Sequence, residues 1–148
     1  MKTTALLFVF MMFTTLAGAQ EKYYFSKTFD LSFEEATTKV KASLKEQGFG
    51  IVAESNMDKM LKEKIGADLL PYRVLGACNP KIAHKALLAE ENIAIFLPCK
   101  VIIKFITETK TEIVVVNPAV AMQAVKNKKA QELFKEVSVL MKKALDGV

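Results

Sequence analysis

The residues with the widest chemical reach are crowded into one stretch. Between Gly76 and Lys100 stand both cysteines, Cys78 and Cys99, the only histidine, His84, and two of the four prolines, Pro80 and Pro98. Three chemistries fit this set. The first is structural, a disulfide or two buried thiols packing as small apolar groups. A bridge closing this loop would contribute about 3 kcal/mol by restricting the unfolded chain. The second is thiol or ligand chemistry. Cys78 lies just before Asn79-Pro80, a helix-start signature, and the free N–H groups of a helix start favour a thiolate. That makes Cys78, Asn79, His84 and Cys99 candidates for a redox pair or a small-anion pocket. The third is metal binding by Cys78, His84 and Cys99, which are suitable soft ligands. Their spacing matches no known zinc pattern and supplies only three positions.

The other signatures of catalysis are missing. The sequence has no Gly-x-Ser-x-Gly, no His-Glu-x-x-His and no Cys-x-x-Cys. Glu90-Glu91 reads as a solvated helix end rather than an acid/base dyad, since no perturbing partner can be named. Gly48-x-Gly50 has a helix before it and a strand after it, the reverse of a phosphate loop. Lys126, Lys128, Lys129, Lys142 and Lys143 read as a solvated helix face. They are not interleaved with aromatics, so nucleic acid is not an expected partner. No cofactor is called for, and the reading leans away from an enzyme.

These residues need a scaffold, and 148 residues supply one domain. Its start is expected near Gln20. Lys2 is a basic n-region, Ala5 to Leu16 is mostly apolar, and Ala17-Gly18-Ala19 is a small-x-small cleavage pattern. Together they read as a secretory signal over residues 1–19, leaving a domain over residues 20–148. The apolar run is too short to span a membrane, and no transmembrane segment is expected in the mature chain. The formal charge of +5 falls by one when Lys2 leaves. The expected location is periplasmic or secreted, where two cysteines in a small domain can pair.

Tyr23 to Phe29 has the aromatic content of a strand. Ser32 and Glu35 form a capping box, and Phe33, Ala36, Val40 and Leu44 place a helix ending at Gly48. Phe49 to Ala53 is a second strand. Asn56 caps a shorter helix with the stripe Met57, Met60, Leu61 and Ile65, closed by Gly66. Tyr72 to Ala77 is a third strand, and Asn79 with Pro80 starts a helix to Ala89. The apolar run Ile93 to Leu97 reads as a short central strand. Val101 to Thr107 and Thr111 to Val116 form a hairpin. Ala130, Leu133, Phe134, Val137, Leu140, Met141, Ala144 and Leu145 keep a helical spacing over four turns, so a long C-terminal helix should lie across the sheet.

The order β-α-β-α-β-α-β-β-β-α implies an α+β fold, a mixed sheet with helices packed on it. In that arrangement a helical crossover makes the strands ending near Cys78 and Cys99 parallel neighbours. Both cysteines then sit at carboxyl ends on one edge, where sheet proteins form binding crevices.

Pro71-Tyr72-Arg73-Val74-Leu75-Gly76-Ala77-Cys78-Asn79-Pro80, followed by Ala83-His84-Lys85-Ala86-Leu87, Leu97-Pro98-Cys99 and Val114-Val115-Val116-Asn117-Pro118, resembles the DUF302 family. The match is tight over 56–118. The resemblance implies a fold related to the TATA-binding-protein-like architecture and a possible homodimer, with no assigned activity. The family pattern carries Asn after the second cysteine where this chain has Lys100. The leading expectation is a ligand-binding or thiol/redox-related module centred on Cys78 and Cys99. The alternative is a non-catalytic interaction domain, a homodimer, stapled by a structural disulfide.

Overall fold

Each strand of the protein is followed by the helix or turn that its terminal residues specify. The computed structural model describes residues 22–148. The expected leader and its cleavage point near Ala19 lie outside the described residues. The strands are β1 (Tyr24–Phe29), β2 (Gly50–Asn56), β3 (Tyr72–Cys78), β4 (Cys99–Thr107) and β5 (Lys110–Val116). The α-helices are α1 (Phe33–Glu46), α2 (Met57–Ile65), α3 (Pro80–Ala89), α4 (Pro118–Ala121) and α5 (Lys128–Asp146). Ser32 and Glu35 form the expected capping box at α1. Gly48 and Gly66 close α1 and α2 at φ of +81° and +70°, a region that residues with a Cβ rarely enter. Asn127 caps α5, its Oδ1 accepting from the N–H groups of Lys129 and Ala130.

The sheet order is β1-β5-β4-β3-β2, and every neighbouring pair is antiparallel. The α+β class and the helix-on-sheet arrangement are as expected, but the sheet is not mixed. The reason lies in Ile93 to Leu97. This run is part of a 3₁₀ turn (Glu91–Phe96), not a central strand. Short apolar runs do not reveal their own period. Here Ile93 turns inward, at 1% exposed, against Ala86, Met122, Ala130 and Phe134, while Ile95 is 81% exposed. Without that strand, β4 begins at Cys99 and runs back along β3.

One face of the sheet makes the core. Leu75, Val101, Ile103, Ile113 and Val115 meet Val40 and Leu44 of α1 and Val137 and Met141 of α5. Each such side chain contributes about 1.5–3 kcal/mol on full burial. Ser43 ties the two helices, its hydroxyl donating to the Ala144 carbonyl at 2.7 Å. The expected core stripe of α2 is a further correction. No residue of α2 is buried, and Met60 and Ile65 are exposed. Asn56 stands at its N-cap position without a side-chain cap bond. Its Oδ1 instead accepts from Arg73 Nε at 2.9 Å. The alternate strand residues Val74, Ile102 and Val114 belong to neither apolar cluster, because they point to the opposite face of the sheet.

Candidate functional site

The site begins where β3 stops. Asn79 turns the chain, its Oδ1 accepting the Ile82 N–H at 3.3 Å, and Pro80 occupies the first helical position, where a missing N–H costs nothing. Cys78 is therefore held between the last ladder bond of β3 and the first turn of α3. Cys99 is placed from the other side. The 3₁₀ turn ends with the Leu97 N–H donating to the Ala94 carbonyl at 3.0 Å, and Pro98 then leads into β4. Pro98 lies against Gly76 so closely that a Cβ on Gly76 would stand 2.5 Å from Pro98 Cγ.

The register aligns Ala77 with Cys99 and Gly76 with Lys100. The expected parallel pairing of these strands is thus replaced by an antiparallel one. The cysteines still share an end of the sheet, because β4 starts where β3 finishes. Directly opposed residues stand about 5 Å apart, and Cys78 is one residue further on. The two cysteines border one cavity, and Cys78 is near enough to perturb the Cys99 thiol. Both thiols are free. Cys78 is half-buried, whereas Cys99 is 6% exposed. Burial, and then the neighbouring Cys78, push the Cys99 thiol up to about 11, with Lys100 partly offsetting them.

Both cysteines line a cavity of about 30 Å³ walled by Phe49, Ala77, Ile82, Ile93 and Phe134. That volume admits about one water and is about a tenth of an organic ligand's needs. The space beneath the cysteines can accommodate sulfur chemistry but not a small molecule. The four expected site residues divide accordingly. Asn79 joins Cys78 and Cys99 at this cavity. His84 sits exposed on α3 and does not line it. Among the described residues no group of three His, Cys, Asp or Glu side chains converges in a way that could hold a metal ion. The Cys78, His84, Cys99 metal reading therefore lacks the required geometry.

A larger concavity lies on the opposite face of the sheet and was not foreseen. It measures about 450 Å³, with Ile102, Val114 and Val116 on its floor and Tyr24, Tyr72 and Lys100 around it. The alternation of Lys100, Ile102 and Lys104 with Val101 and Ile103 was the available signal. The wetter face was legible at Lys104, but the groove requires four strands side by side.

This geometry defines a class, a single-domain α+β protein whose thiol pair sits at the junction of two antiparallel strands. Residues 25–148 match the family described as "Domain of unknown function DUF302", and the chain belongs to that family. The crystal structure of an uncharacterized conserved DUF302 protein from Bacillus stearothermophilus is similar, with a TM-score of 0.78. The likeness covers 85% of this chain and 98% of that one at 24% identity, which establishes the fold. No curated protein matches the chain. Among the described residues, no helix is long and apolar enough to cross a membrane.

Proposed function

We propose that Cys78 and Cys99 form a redox-active dithiol in an exported domain. The observation that supports this reading is that Cys78 and Cys99, both free, border one cavity at the end of the β3–β4 pair. The division of labour follows from burial. Half-exposed Cys78 meets the external reagent, and buried Cys99 resolves the product. In that sequence the Cys78 thiolate attacks one sulfur of an external disulfide, forming a mixed disulfide and releasing the first thiol. Cys99 then gives up its proton and attacks the Cys78 sulfur. This closes the internal bridge and releases the second thiol, so the reagent gains the two electrons that the protein loses. The signal-like residues 1–19 support export to a compartment where such a pair can cycle.

The test is intact mass after alkylation, with mature protein equilibrated across glutathione redox buffers. A Cys78–Cys99 bridge that opens and closes between about −150 and −300 mV is expected. A bridge that opens only below about −300 mV makes the pair a structural staple. Two thiols that never bridge end both readings. N-terminal sequencing of exported protein checks for a start at Gln20.

A second reading is favoured by a specific surface. Leu87 and Leu88 of α3, and Ile95 and Phe96 of the following turn, are all exposed large apolar groups, Leu88 at 76%. Such a patch suits an interaction domain that meets a second copy of itself, with a bridged Cys78–Cys99 stiffening the α3 segment behind it. Sedimentation of the protein and of Leu88→Lys separates this reading from the first.

A further inference from the structure

We infer that the face of the sheet opposite the core binds a small amphipathic carboxylate, with Lys100 taking the carboxylate and the apolar strand residues taking its body. The groove there holds about 450 Å³, within the range of small-molecule sites and about fifteen times the space beside the cysteines. Its floor is aliphatic, from Ile102, Val114 and Val116. Its sides are aromatic. Tyr24 lies on β1 and Tyr72 on β3, three strand spacings apart, which makes the trough about 14 Å wide. Tyr23 packs edge-on against Tyr24, with ring centroids 4.9 Å apart.

The charge on this face determines the class of ligand. Lys104 is already paired with Glu112 at 2.7 Å. Lys100 has only a carbonyl, with its Nζ donating to the Pro98 oxygen at 3.2 Å, and it forms no ion pair among the described residues. Lys22, whose Nζ lies 5.7 Å from the Tyr24 ring, lines a neighbouring concavity and not this groove. One ammonium without a counter-charge above an apolar floor suits a monoanion with an apolar tail. A second copy docked on this face suits it less well. Among the described residues its one carboxylate in the groove is the already paired Glu112, so both Lys100 ammoniums would be buried without partners.

The protein reports on this site by itself. It has no tryptophan and three tyrosines, and all three line the groove. Tyrosine emission is therefore a local signal. The experiment titrates the protein with decanoate below its micelle concentration, and with decanol as the neutral counterpart, following emission and heat. Saturable binding of decanoate at least tenfold tighter than of decanol is expected. Lys100→Gln, an exposed substitution that leaves the fold intact, should reduce decanoate to the level of decanol and leave decanol unchanged. Equal binding of the two probes overturns the inference, as does unchanged decanoate binding in Lys100→Gln. So does an absence of saturable binding, or a concentration-dependent dimer that Val114→Glu dissociates.

Discussion

Gly76 and Pro98 are in contact across the start of β4, with the proline ring lying where any side chain at position 76 would go. The contact sets the point at which β4 can begin, and so the position of Cys99. Gly76→Ala puts a Cβ 2.5 Å from Pro98 Cγ and 3.1 Å from Ala53 Cβ. A loss of about 1–3 kcal/mol in denaturant unfolding is expected from such crowding. Because Pro98→Ala removes the clashing atom, the double variant should lose less than the two single losses combined.

Cys99 should make stability fall at alkaline pH. Its thiol is raised to about 11 in the folded protein, against about 8.5 in an unfolded chain. The folded state therefore holds its proton more tightly, and the stabilising effect is complete below about pH 8.5. Between about 8.5 and about 11 the unfolded thiol ionises first, and stability drops by about 3 kcal/mol. Urea unfolding of the protein and of Cys99→Ala across that window checks this. The difference between them should carry the slope, and a constant difference would refute it.

The same burial predicts unequal thiols. Reduced folded protein at pH 8 should add one equivalent of iodoacetamide quickly, at Cys78, and the second only after denaturation. Mass spectrometry of timed samples reads the order. Equal rates at both cysteines would contradict the burial of Cys99.

Asn79 should matter to the fold before it matters to chemistry. Its side chain satisfies the Ile82 N–H at the start of α3. Asn79→Ala should cost about 1 kcal/mol, and Asn79→Asp should restore most of it, since either side chain can accept that bond. Thermal unfolding distinguishes them.

Arg73 is the charged group most committed to the structure. Its side chain is 12% exposed and forks onto Glu34, with both contacts at 3.0 Å. Its guanidinium also lies 5.0 Å from the Phe33 ring. Hydrogen bonding from Arg73 holds the Glu34 carboxyl below the usual carboxylate range. Arg73→Lys should not preserve stability, because an ammonium cannot make the fork or the stack. Glu34→Gln should change stability by less than about 1 kcal/mol, because that carboxylate is largely in water.

What could be read from sequence follows from how local each signal is. The capping box at Ser32 and Glu35, the Asn79-Pro80 start and the four-turn stripe of α5 are interactions within a few residues, and all are present. Ile93 to Leu97 misled because apolar character alone does not separate a strand from a 3₁₀ turn. Leu97 takes extended geometry only at the end, ahead of Pro98. The Met57–Ile65 stripe misled in a different way. A helix can be amphipathic while the sheet gives it nowhere to bury its apolar side. The nearness of Cys78 and Cys99 was legible from the elements around them, but their antiparallel register was not. The groove at Lys100 depends on pairings between β1, β5, β4 and β3, and no local pattern encodes those.

The strand that comes first in the chain pairs with the strand that comes last, Tyr24 opposite Val116 and Phe29 opposite Thr111. Between them lies nearly the whole domain, so the sheet cannot close until β5 has emerged from the ribosome. The core face also waits for α5. Nascent chains up to that point can form helices and the β2–β3 pair but not the complete sheet, which makes folding a late event. Most of the chain must therefore be made before its first described strand can find its place in the sheet.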